Sequence, residues 1–302
     1  MDPDTIGRPL KALLIDLDDT LYQDDNMPRL VKEFIQDYMH TKLGIPQEEI
    51  PHKCYEFYSN FGTTMAGLAA NNFDIDEDDW HAHVHHRLPY TKLLQRDEAL
   101  RDMLASIKLP KYVFTNADRK HAHICLELLG IADLFEGVIC YESVMAEARR
   151  RGLVHKGSPI MCKPNPLAVK LALEMAGADA ATTAFFDDST RNVAAGRACG
   201  LYSVLVGRTG ADSGADLEVA SMHDLRGAMP GLWAERPHAA RAAPAAAPGI
   251  GLGPGVAAGR RELRRQSTAE LIRQGADEEA EQGFGVPLPL SGERGILVPA
   301  QE

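Results

Sequence analysis

The run Ala12–Ile15, continuing as LLIDLDDTLY, constrains this chain more than any other segment. Aliphatic residues lead directly into Asp16, Asp18, Asp19 and Thr20. A run this short and this apolar reads as a strand buried on both faces. In an open parallel sheet the ligand crevice lies at the carboxyl ends of the strands, so the three carboxylates fall where a site is built. Packed carboxylates repel one another unless a cation or a phosphoryl centre offsets the cost. The bland alternative is an acidic turn that caps a helix or faces solvent.

Four further runs have the same look: Tyr112–Phe114, Val138–Cys140, Thr183–Phe186 and Tyr202–Val206. Between them lie helical patterns. Ala122, Cys125, Leu126 and Leu129 recur at helical spacing, Asn165-Pro166 reads as an N-cap with proline at the first helical position, and Leu167, Leu171 and Met175 mark one apolar face. The segment Thr190–Cys199 meets Gly200, a helix stop. Alternating strands and helices predict an α/β fold with a doubly wound parallel sheet. From Leu21 to about Arg96 no strand signal appears, and Leu30, Val31, Phe34, Ile35 and Tyr38 follow helical spacing. An insertion of roughly seventy-five residues is too long for a loop and predicts a small helical cap. The expected division is a domain over 9–235, with its core at about 9–20 and 97–235 and its cap at about 21–96. An Ala/Pro/Gly-rich stretch from 236 to 302 lacks the side chains to bury a core and is expected to be disordered. Within it Arg264-Arg265-Gln266-Ser267 resembles a basophilic kinase site.

Charge narrows the function. The net charge of −11 disfavours nucleic acid and anionic membrane as partners. The five cysteines are scattered without a Cys-x-x-Cys pair, which fits reduced thiols better than zinc or disulfides. The opening residues lack an apolar signal region and no stretch reads as a membrane span. A soluble cytoplasmic protein is expected.

Three more motifs carry chemistry. AFFDDSTRN ends a strand in Asp187 and Asp188, which in a parallel sheet can meet the first acidic cluster. Such oxygen donors suit Mg²⁺. YVFTNAD ends a strand in Thr115 and Asn116, a hydroxyl and an amide for phosphate oxygens. Lys163 in MCKPNP precedes a helix N-terminus and can neutralise a phosphate, and it fits that role better than Lys156. Taken in order, DLDDT, T, K and DD resemble the four motifs of the haloacid dehalogenase superfamily, over about Lys11 to Trp233. That resemblance implies a Rossmann-like core, Asp16 as nucleophile, Asp18 as general acid/base, and catalytic support from Thr115 and Lys163. It implies Mg²⁺ held by Asp16, the carbonyl of Asp18, and the pair Asp187 and Asp188, without saying which of the pair binds directly. Thr20 and Asn116 join the substrate-binding candidates. Because Asp18 is present, the resemblance implies a phosphatase rather than a dehalogenase.

FGTTMAGLAANNFDID and VHHRLPY are similar to the pyrimidine 5′-nucleotidase branch. By that likeness Thr63, Thr64 and Gly67 line the cap face over the base or sugar, and Arg87 contacts an anionic group. UMP or CMP is the substrate so implied. XMP, pyridoxal phosphate or a sugar phosphate are the alternatives, and a non-catalytic binding module is a third reading. Histidines 81, 83, 85 and 86 invite a zinc reading, but on one helix they are expected to spread around the surface.

Overall fold

The structure, a computed structural model, describes residues 9–156, 158–210 and 213–233. The stretch from 236 onward, with Ser267, lies outside the described residues.

The apolar runs form parallel strands. They are β1 (Ala12–Ile15), β2 (Lys111–Phe114), β3 (Gly137–Ile139), β4 (Thr183–Asp187) and β5 (Tyr202–Val206), joined by β6 (Leu217–Val219). The order across the sheet is β3-β2-β1-β4-β5-β6, with every neighbouring pair parallel. β6 carries no apolar run: it is three residues long and only Val219 is buried, so the sequence offers little to mark it. Side chains alternate between two layers. Leu13, Ile15, Ala184 and Phe186 enter one apolar cluster, and Leu14, Phe114 and Phe185 enter the other. Helices on both faces keep these strands dry, as a continuous apolar run requires.

Between β1 and β2 stand α1 (Asn26–Thr41), α2 (Ile50–Phe61), α3 (Thr64–Ala70), α4 (Glu77–Val84), α5 (Tyr90–Leu93) and α6 (Glu98–Ser106). Tyr38, Phe57, Leu68, Trp80 and Val84 from the first four extend the second apolar cluster. The later helices are α7 (Arg119–Leu129), α8 (Tyr141–Arg150), α9 (Pro166–Ala176), α10 (Thr190–Ala198) and α11 (Leu225–Ala228). The expected start of α9 is observed: the Asn165 side chain accepts from Leu167 N at 2.9 Å. Its buried face differs from expectation. Ala168, Val169, Leu171, Ala172 and Leu173 are buried, whereas Leu167 is 41% exposed. Flanked by α8 and α10, this helix buries a broad stripe of small and branched residues rather than a narrow one.

Among the described residues no helix is long and apolar enough to cross a membrane.

Candidate active site

β1 and β4 are neighbours in register, Ile15 opposite Phe186, so Asp16 and Asp187 leave the sheet side by side. The chain then turns sharply: Asp19 has φ of 56°, a left-handed conformation that aspartate tolerates better than most residues. Carboxylate oxygens of Asp16, Asp187 and Asp188 lie within 4.8 Å of one another.

Lys163 reaches into this cluster. Its Nζ lies 2.8 Å from Asp16 Oδ1, 2.7 Å from Asp187 Oδ2 and 2.8 Å from the Phe114 carbonyl, so its three N–H bonds all have protein partners. Asn116 holds the lysine in place rather than facing a phosphate. Its amide donates to the Lys163 carbonyl at 3.0 Å and accepts from Lys163 N at 2.8 Å. Asp187 is fully buried and also accepts from Ser189 N and Asn192, both at 2.9 Å. Burial raises the Asp16 carboxyl well above the ordinary range; Lys163 opposes this, while Asp187 and Asp188 add to it. Asp188 is pushed up to about 7, first by burial and then by Asp187.

Asp16 Oδ1 also accepts from Leu17 N at 2.8 Å. Thr115 is buried, and its Oγ1 accepts from Ala117 N at 3.0 Å, which leaves its O–H to donate. Thr20 Oγ1 is buried with no hydrogen-bond partner among the described residues.

Asp18 turns away from the other carboxylates. Its Oδ1 accepts from the Tyr22 hydroxyl and from His121 Nε2 at 2.7 Å. Burial would raise the Asp18 carboxyl, but His121 and then Tyr22 bring it down to about 2. Burial likewise works against a charged His121, yet Asp18 holds it protonated well above the usual imidazole range. The remaining His121 nitrogen is fixed by topology. Tyr90 donates its single hydroxyl hydrogen to the His85 carbonyl at 3.0 Å, so at 2.8 Å it accepts from His121 Nδ1.

A cavity of about 410 Å³ opens beside Asp18, Asp19 and His121. Met27, Val31 and Ile35 of α1 and Cys54, Tyr55 and Tyr58 of α2 give it apolar walls, with Lys32, Thr64 and His85 at its border. Of the residues expected over the substrate, Thr64 is placed there. Thr63 caps α3, accepting from Ala66 N at 3.1 Å. Gly67 and Arg87 are placed otherwise than expected. A Cβ on Gly67 would overlap Phe57, so the glycine permits the close packing of α3 on α2. Arg87 pairs with Asp37 at 3.0 Å and lies 4.5 Å from the Phe34 ring centre, on α1 rather than on the cavity.

The histidines also depart from expectation. α4 ends at Val84, so His85 and His86 lie in the following turn. His85 Nδ1 donates to Asp118 Oδ2 at 2.6 Å and His86 Nε2 to Asp118 Oδ1 at 3.1 Å, with His81 Nδ1 3.6 Å from Oδ2. His83 points elsewhere, to Asp37. Burial works to raise the Asp118 carboxyl, but the His85 and His86 hydrogen bonds hold it far below the ordinary range. Burial lowers His81 to about 4, so its contact with Asp118 is not an ion pair at neutral pH. His121, Tyr22, Asn192 and Asp118 were not among the residues expected at the site. His121 and Asp118 meet their partners Asp18, His85 and His86 across long stretches of sequence, whereas Tyr22 and Asn192 sit four and five residues from Asp18 and Asp187, beside motifs that were read for their carboxylates alone.

The chain is 27% identical over 217 residues to Phosphate metabolism protein 8 of Saccharomyces cerevisiae, across 68% of this chain and 63% of that protein, less than two thirds of its length. It is 27% identical over 207 residues to a phosphoglycolate phosphatase of Neisseria gonorrhoeae, across 65% of this chain and 79% of the relative. Among solved structures, a HAD phosphatase from Thermococcus onnurineus superposes with a TM-score of 0.48 at 20% identity, over 74% of this chain and 99% of that one. The family model described as haloacid dehalogenase-like hydrolase matches residues 10–200, and the chain belongs to that family.

Proposed function

We propose that this protein is a magnesium-dependent phosphomonoester hydrolase that forms an aspartyl phosphate on Asp16 and acts on nucleoside 5′-monophosphates, pyrimidine nucleotides first among them. The charge balance at the strand ends carries the reading. Three buried or half-buried carboxylates face one ammonium, that of Lys163; with all three ionised the shortfall equals the charge of one divalent cation, and without an ion protons meet it instead, as the raised Asp16 and Asp188 carboxyls show. An all-oxygen donor set fits Mg²⁺, which binds through a few carboxylates and keeps several waters. Asp16, Asp187, Asp188 and the Asp18 carbonyl are the groups that would hold it. When bound, the ion neutralises charge on the transferring phosphoryl oxygens.

The chain's own residues divide the remaining work. Leu17 N and Lys163 both hold Oδ1 of Asp16, which leaves Oδ2 to attack phosphorus. The Oδ2–P bond forms as the ester P–O bond breaks, and the Thr115 hydroxyl can donate to a phosphoryl oxygen. Asp18 is an anion at neutral pH, so the proton it hands to the leaving oxygen comes from His121 Nε2. Asp18 then removes a proton from the water that attacks the aspartyl phosphate, the Oδ2–P bond breaks, and inorganic phosphate leaves.

The cavity walls support a nucleotide. Tyr55 is 74% exposed and Tyr58 49% exposed, large aromatic faces at the mouth of an apolar cavity that would stack on a planar base. In this reading the helices over 21–96 act as the cap that selects the substrate. Lys32 at the border favours a second reading, a compact ester with another acidic group, as the name of the Neisseria relative suggests. Phosphate release from UMP, CMP, XMP, pyridoxal phosphate, sugar phosphates and phosphoglycolate, with Mg²⁺ or with EDTA, separates them. The expected result is Mg²⁺-dependent turnover highest on a nucleotide, with Tyr55→Ala raising KM and leaving kcat within a few-fold. A preference for phosphoglycolate unmoved by Tyr55→Ala would overturn the nucleotide reading alone. No turnover of any ester would favour a binding module.

A further inference from the structure

We infer that His81, His85 and Asp118 form a second metal site, separate from the carboxylate cluster and suited to a divalent ion of the zinc class, which pins the helical segment to the sheet. His81 lies on α4 and His85 one turn on, four residues apart, and their rings stack with centroids 5.5 Å apart. That spacing presents two imidazoles to one ion, as zinc-binding helices do. Asp118 arrives from the other part of the fold, between β2 and α7. One donor atom from each of the three lies within 4.8 Å of the others.

Zinc-class ions bind imidazole nitrogen and carboxylate oxygen at about 2.0–2.2 Å, which puts neighbouring donors roughly 3–3.5 Å apart. The 3.6 Å between His81 Nδ1 and Asp118 Oδ2 is already close to this. The 2.6 Å between His85 Nδ1 and the same oxygen opens slightly when an ion replaces the shared proton. A second observation points the same way. His81 is 6% exposed, and neither of its ring nitrogens has a hydrogen-bond partner among the described residues. Buried polar atoms are rarely left so, because they lose water without replacing it. At 3.6 Å the Asp118 oxygen is too distant to be that partner.

The surroundings match a ligand shell. His86 Nε2 and His121 N donate to Asp118 Oδ1, the oxygen not turned toward the other two histidines, and so fix the carboxylate. Two imidazoles and one carboxylate favour zinc-like ions over Mg²⁺, whereas the all-carboxylate cluster has the opposite preference. His85 also borders the cavity, so the ion would set one of its walls.

The test uses untagged full-length protein, stripped with a chelator and held in excess Mg²⁺ to occupy the carboxylate cluster. Co²⁺ is titrated as the spectroscopic probe and then displaced with Zn²⁺. One equivalent of Co²⁺ should give a saturable visible band of a nitrogen-ligated ion that Zn²⁺ removes. Asp118→Asn keeps the α7 cap, since asparagine caps as well as aspartate, and should weaken binding at least about 100-fold. His86→Asn should weaken it about 10-fold, and His83→Asn should leave it unchanged. In the wild type, ring ¹⁵N shifts of His81 and His85 should move on adding Zn²⁺ while those of His83 stay. Absence of a saturable band in folded wild type, or a band and ring shifts that persist in folded Asp118→Asn, would overturn the site.

Discussion

At the scale of single residues, Lys163 organises the acidic cluster. It is 1% exposed, lies between the rings of Phe114 and Phe185, and pairs with two carboxylates. Removing one partner of a buried ion pair strands the other, at about 3–5 kcal/mol. Lys163→Met should therefore lower the unfolding free energy by that order, read from urea denaturation, and abolish turnover; a variant of near wild-type stability and activity would contradict the assignment. That Asp16, Asp187 and Lys163 come together was legible in sequence, because each aspartate follows an apolar run, the lysine precedes a helix N-terminus, and their types suit one chemistry. His121 was not. It meets Asp18 across 103 positions, and no local pattern announces a contact made only after folding. Asn116 was placed at the site but given a substrate role, because sequence does not show that the Lys163 backbone satisfies both ends of its amide.

At the scale of elements, the helices between β1 and β2 are fastened to the sheet by identifiable contacts. Arg191 on α10 donates to the carbonyls of Tyr58 at 2.6 Å and Ser59 at 2.8 Å, and its guanidinium stacks 4.3 Å from the Tyr58 ring centre. This ties α2, and Tyr58 with it, to the helix that follows β4. Within the segment, α3 packs on α2 through Gly67. Gly67→Ala should cost about 1–3 kcal/mol, because the new methyl meets Cβ and Cα of Phe57 and so pushes on the α2 backbone itself. Denaturant unfolding checks this, and a change below about 0.5 kcal/mol would show that the contact yields easily. Helix starts were readable from their caps, as at Asn165. The buried face of α9 was not, since which side of a mostly apolar helix turns inward depends on its neighbours.

At the scale of the whole molecule, the order β3-β2-β1-β4-β5-β6 reverses direction between β1 and β4, and ligands bind at such a switch point. The strand runs and their alternation with helices made this architecture legible, while β6 escaped because it buries one residue. The site makes stability depend on pH. Asp16 is raised, and Asp188 to about 7, chiefly by burial, so between the ordinary carboxylate range and that value the folded chain holds protons the unfolded chain has released. Their contribution to stability therefore falls as pH rises through this window. An ion that binds the deprotonated carboxylates reverses the loss, so Mg²⁺ should raise Tm more at about pH 8 than at about pH 5; an equal shift at both would count against the carboxylate site. The most direct measurement is mass spectrometry of protein quenched in acid during turnover of a nucleoside monophosphate with Mg²⁺. A phosphoryl group on the peptide carrying Asp16, absent in Asp16→Asn and in EDTA, is the expected result. Full turnover by Asp16→Asn, or a phosphoryl group on another residue, would contradict it.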